Sequence, residues 1–152
     1  MPLNRDFIGR SYASEGTFEV GREHVRRFAD AIGDPNPIYR DREAAKAAGH
    51  PDTIAPPTFL TTLGFALGGR GAMADGDLGL DYSRVVHGEQ KFVHHRPVRV
   101  GDELTATTYI DDIRDAGANE LMTMRMEIRT TAGELVCEAT NVVVSRGTAA
   151  GA

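Results

Sequence analysis

The spacing of apolar positions changes character partway along the chain. Across residues 21–32, Val25, Phe28, Ala29 and Ile32 fall on one side of a helical projection, with Arg22, Glu23, Arg26, Arg27 and Asp30 on the other. That period predicts an amphipathic helix packed on a core. The turn "GDPNP" ends it, because Pro35 and Pro37 cannot continue the hydrogen bonding. A second short helix is predicted over 41–48, capped by Asp41 and stopped by Gly49. Next comes "APPTFLTTLGFALGG", whose residues 58–67 carry Phe59, Leu60, Leu63, Phe65, Ala66 and Leu67 and no charge. A helix apolar around most of its circumference has to be enclosed. The stretch Gly68-Gly69-Arg70-Gly71 then predicts a flexible connector opening into a mobile loop over 71–79.

From Tyr82 onward the period is two. Residues 85–95, 103–113, 120–130 and 135–144 alternate and are rich in Val, Thr, Ile and Tyr, which predicts strands. Gly101-Asp102, Gly117-Ala118-Asn119 and Ala132-Gly133 supply turns, so the four are expected to form an antiparallel meander. Helices followed by a long antiparallel sheet indicate the α+β class. The apolar helix is the one element fit to fill such a sheet.

Composition narrows the range of functions. The 152 residues suit one domain, taken here as 1–146, followed by a small-residue tail over 147–152 expected to be flexible. A net charge of −5 without a basic tract argues against a nucleic-acid partner. Cys137, the sole cysteine, allows no intrachain disulfide and no metal-ligand spacing, and is expected as a small core residue. No charged-then-apolar leader opens the sequence and no apolar run could span a bilayer, so a cytoplasmic protein without membrane contact is expected. No phosphate loop, dinucleotide fingerprint or Ser-His-Asp arrangement occurs, and neither metal nor cofactor is expected.

The stretch "AIGDPNPIYRD" carries the chemistry. Asp34 and Asn36 sit in a turn where each is able to bond its own backbone or face a substrate. Five residues past Asp34 stands Tyr39. A phenol titrates near pH ~10 and an imidazole near ~6.5, so Tyr39 reads as a hydrogen-bond donor or cavity wall rather than a base. Along the predicted strand at 85–95, His87 and Glu89 share one face while Gln90 and His94 share the other. Adjacent His94 and His95 point to opposite faces and make no metal site. Arg96 and Arg99 form a local basic cluster suited to phosphate groups.

Taken together, "GDPNPIY", "APPTF" and "HGEQKFVHHRPVRVGDEL" resemble the MaoC-like hot-dog proteins over roughly residues 5–146. Within them the chain is most similar to the FAS1-like dehydratase branch. That branch includes uncharacterised actinobacterial proteins and accessory subunits of the mycobacterial (3R)-hydroxyacyl-carrier-protein dehydratase. The resemblance implies a sheet wrapped around one buried helix. In hydratases of this superfamily the motif reads Gly-Asp-x-Asn-Pro-(aliphatic)-His, and the Asp and His jointly move protons as water adds to or leaves a thioester. Gly33, Asp34, Asn36, Pro37 and Ile38 match it, whereas Tyr39 stands where the His belongs. The segment "HGEQ" is similar to one in the non-catalytic repeat of two-repeat hydratases, which holds the acyl chain.

The resemblance thus implies Asp34 and Tyr39 at the catalytic positions, with Tyr39 replacing the expected His. It implies Asn36, Thr58, Phe59, His87, Glu89, Gln90, Arg96 and Arg99 around substrate, with amides near Thr58 facing the thioester carbonyl. The expected substrate is an acyl thioester of coenzyme A or acyl carrier protein. The expected assembly is a homodimer alone, or a heterodimer with a hot-dog subunit that bears the His. The leading reading is a substrate-binding, non-catalytic subunit of a (3R)-hydroxyacyl-thioester dehydratase. A non-enzymatic thioester-binding homodimer and a homodimeric hydratase or thioesterase with an atypical site stand as alternatives.

Overall fold

The computed structural model describes residues 1–151, apart from the side chains at positions 65 and 68–70. The expected burial of Phe65 and the end of the tail at Ala152 therefore lie outside the described residues. Helix α1 (Arg22–Ala31) buries Val25 and Ala29, and its outer face pairs Glu23 with Arg26 and Arg27. Ile32 lies past its last turn and stays exposed. Gly33, at φ 70°, takes the left-handed conformation that lets Asp34 N turn back onto Ala29 O at 2.9 Å. A short 3₁₀ turn, Pro37–Tyr39, follows, then α2 (Arg42–Ala47), whose cap Asp41 accepts from Glu43 N at 2.9 Å.

The central helix begins as α-helix at Thr61–Leu63, passes through a π segment at Gly64–Gly68 and resumes as α-helix over Gly69–Met73. Leu60, Leu63 and Leu67 are buried, while Thr61 and Ala66 are exposed. The expectation of a helix enclosed on all sides is corrected accordingly: among the described side chains Leu60, Leu63 and Leu67 are packed, whereas Thr61 and Ala66 reach the surface of the single chain. The flexible connector and mobile loop are corrected too. A Cβ at Gly71 would come within 3.0 Å of Tyr12 Cβ, so its glycine permits close packing of the helix on the N-terminal strand. Asp75 caps the next turn by accepting from Asp77 N, and Leu78 there is fully buried.

Six antiparallel strands form one sheet: β1 (Ser11–Ala13), β2 (Phe18–Glu19), β3 (Val85–His94), β4 (Glu103–Ala116), β5 (Asn119–Thr130) and β6 (Leu135–Ser145). The order is β1-β4-β5-β6-β3, with β2 also on the β4 edge. The meander holds for β4 to β6 and fails for β3, which pairs with β6 instead of β4. The physical reason lies in the connection. Ala55 N donates to Val98 O at 2.7 Å and Val100 N to Thr53 O at 3.0 Å, so this segment pairs with the chain ahead of the central helix. The short strands β1 and β2, too brief to show a period, extend the far edge.

Leu104, Ala106 and Ile110 of β4, Met122, Met124, Met126 and Ile128 of β5 and Cys137, Ala139 and Val143 of β6 are buried. They form two clusters, one with Phe59, Leu60, Leu63 and α1, the other with Leu3, Phe7, Ala72 and Leu78. Buried Glu120 accepts from Leu3 N at 2.8 Å and so fixes the N-terminal segment over the second cluster. The segment expected as a flexible tail packs back through residue 149. Thr148 and Ala149 are buried, and Ala149 N donates to Ala118 O at 3.2 Å. Among the described residues no helix is long and apolar enough to cross a membrane.

Candidate functional site

The Gly33–Tyr39 turn is held by its own side chains. Asp34 Oδ1 accepts from Asn36 N at 3.0 Å, and Asn36 Oδ1 accepts from Ile38 N at 3.1 Å. Arg40 closes the loop from behind, donating to Asp34 O at 2.5 Å, Asn36 O at 3.0 Å and Asp30 Oδ1 at 2.7 Å. Asp34 is half-buried and Asn36 exposed. Tyr39 is 7% exposed, and its phenol is raised above its usual range, first by burial and then by the negative charge of Asp34. It is a neutral hydroxyl, the opposite of what a base at neutral pH requires.

That hydroxyl-bearing ring forms one wall of a cleft of about 370 Å³, shared with Ile54, Pro57, His94, His95 and Arg96. His94 Nε2 lies 2.8 Å from Pro57 O, and its ring stacks on Phe92 with centroids 5.8 Å apart. His95 turns away to Glu138 Oε2 at 3.1 Å. Arg96 donates to Asp102 at 2.9 and 3.0 Å and to Glu134 at 3.0 and 3.1 Å. Donation to Asp102 chiefly holds its guanidinium above the ordinary range, and Arg96 in turn holds Glu134 below the usual carboxylate range. Arg96 is therefore already paired, and Arg99, 3.8 Å from Asp102 and 37% exposed, is the freer of the two.

The remaining sequence-predicted residues are dispersed. Phe59 is fully buried, edge-on to His24 at 4.9 Å and to Phe28 at 5.5 Å. Its amide donates to Pro56 O at 2.9 Å, which occupies one of the donors expected to face a thioester. Thr58 is exposed, its carbonyl taken by the Thr61 hydroxyl at 2.7 Å. His87 and Glu89 do not share a face. A bulge at Gly88 sets His87 opposite Val143 and Glu89 opposite Val142, consecutive residues whose side chains leave opposite sides of the sheet. Gln90 donates to Thr140 O at 3.3 Å.

The geometry thus brings Tyr39 and Arg96 to one cleft and adds His94 to its lining. The signal for His94 was its shared parity with Phe92, an inward-facing apolar residue. His24, half-buried between Phe18 and Phe59, was also missed; it lies on the helical stripe adjoining Phe28. Among the described residues no group of three or more His, Cys, Asp or Glu is placed to hold a metal ion. Cys137 is buried with its thiol pushed up to about 11 by desolvation, which removes it as a nucleophile.

Residues 6–139 match the family described as the FAS1-like dehydratase domain region. The chain is 58% identical over 151 residues to the UPF0336 protein Franean1_6066 of Parafrankia sp. (strain EAN1pec), covering 98% of both. It is similar to a chain of the C-terminally truncated HadBC (3R-hydroxyacyl-ACP dehydratase) complex of Mycobacterium tuberculosis. That likeness has a TM-score of 0.81 and 31% identity over 93% of this chain and 99% of the other. A MaoC-like dehydratase superposes with a TM-score of 0.84 at 31% identity, matching 92% of this chain but 42% of the larger protein. With its sheet, central helix and motif turn all in place, the chain belongs to the FAS1-like dehydratase family of MaoC-like hot-dog proteins.

Proposed function

We propose that the chain is the substrate-holding subunit of a (3R)-hydroxyacyl-thioester dehydratase, and that a partner hot-dog chain with the full Asp/His motif performs the proton transfers. The observation that carries this reading is Tyr39, a neutral phenol on the cleft wall where the motif has an imidazole, beside an Asp34 whose carboxylate is engaged by its own turn. The cleft offers a hydroxyl donor for a thioester carbonyl and an apolar lining of Ile54, Ala55 and Val98 for the carbons next to it. Arg99, bridged to Ile54 of the cleft lining, suits a phosphate of coenzyme A or of a carrier-protein arm.

Assembly fits the same reading. Strand β3 is an edge strand with Val86 and Val93 both 42% exposed, and Thr61 and Ala66 of the central helix are exposed as well. Edge-to-edge pairing with a second hot-dog chain covers the strand's unpaired backbone groups. The likeness to the HadBC complex favours a different chain as that partner.

The test has two parts. The purified chain binds crotonyl-CoA by calorimetry but hydrates it slowly, and co-expression with a His-bearing hot-dog partner raises turnover by on the order of 10²–10⁴. The single change Tyr39→His supplies the missing imidazole and raises Asp34-dependent hydration by on the order of 10². Fast, Asp34-dependent hydration by the unmodified, partnerless chain contradicts the reading. Binding without turnover under every condition makes it a non-enzymatic thioester binder.

A further inference from the structure

We propose that the cleft has an acid–base residue of its own, His94, able to add water slowly to an enoyl thioester by a route separate from the Asp34 motif. The proposal rests on the acyl-thioester reading above. A carbonyl oxygen only accepts, so the 2.8 Å contact with Pro57 O places the ring proton on Nε2 and leaves the Nδ1 lone pair to take a proton. The ring is fixed in two directions, by that bond and by stacking on Phe92. Among the described residues no side chain or backbone group bonds His94 Nδ1. Its charged neighbours along the cleft are occupied: His95 with Glu138, and Arg96 with Asp102 and Glu134. Tyr39, on the same cleft, supplies a protonated hydroxyl for the thioester oxygen.

The chemistry balances without a further reactant. His94 Nδ1 takes a proton from water as the water oxygen bonds C3 of a trans-2-enoyl thioester. The C2–C3 π electrons move into a C1–C2 double bond, and the carbonyl oxygen becomes an enolate oxygen that accepts from Tyr39. The imidazolium then returns its proton to C2, the carbonyl re-forms, and the ring is neutral again. One water has been added.

The full-length chain is assayed alone with crotonyl-CoA by loss of enoyl-thioester absorbance, with the dissociation constant measured in parallel. The wild type turns over slowly. His94→Gln retains an amide donor for Pro57 O but no base; its turnover falls by on the order of 100-fold while binding changes by less than about threefold. His94→Ala is partly rescued by imidazole in the buffer, an effect a merely structural role does not produce. His50→Gln keeps wild-type turnover. Equal turnover in wild type and His94→Gln, or a wild type that binds crotonyl-CoA without hydrating it, overturns the proposal and leaves the binding reading standing. Failure to bind the thioester overturns both.

Discussion

Tyr39 shows how one side chain decides between handling a substrate and transforming it. Burial and the Asp34 charge both favour its neutral form, so its folded value lies above the ordinary 10.0. The sign of the stability effect follows. Below about pH 10 the phenol is protonated in both folded and unfolded chains, and its contribution is complete. As pH rises further the unfolded chain loses the proton first, so stability falls until the folded value is passed. Tyr12, raised by burial and by Asp75, adds to the same alkaline limb. Tyr39→Phe is therefore expected to lose less stability than wild type between about pH 9 and pH 11, as read from urea midpoints, without abolishing the decline. The identity of this residue was plain in the sequence. Its phenol's place on a cleft with His94 was not, because that depends on which way β3 faces.

At the scale of elements, the helices and long strands were legible because burial on one side imprints a period. Residues 22–31 and the alternation over 103–110 carry that imprint unambiguously. Two elements escaped it. Helical structure over Gly69–Met73 contains two glycines, each disfavouring a helix by about 1 kcal/mol relative to alanine, and there tight packing against Tyr12 outweighs local preference. The pairing of β3 escaped as well, since its alternation suits either β4 or β6 and the choice is made by residues 98–100 docking on 53–55. Phe59 read as a substrate contact but is a keystone of the core between α1 and the central helix. Phe59→Ala is expected to cost about 3–5 kcal/mol in denaturant unfolding. A loss under about 1 kcal/mol, with weakened thioester binding, would return it to the cleft.

For the whole molecule, the sheet has one edge guarded and one open. The β4 edge carries β1 and β2, whereas β3 has β6 on one side and solvent on the other. If the chain pairs along β3 as proposed, placing lysines at Val86 and Val93 together weakens that pairing at least about tenfold in sedimentation, with little change in folding stability. An unaltered sedimentation profile would locate the subunit contact elsewhere.

The bulge at Gly88 sets a condition on whatever strand lies along that open edge. Across it the inward and outward parity of β3 is reversed, so a straight neighbour is able to match sides with residues before the kink or after it, never both. A second chain bent at the same level matches throughout. In the edge-to-edge assembly proposed above, the kink thereby works as a key cut into the edge, favouring a companion bent at the same level.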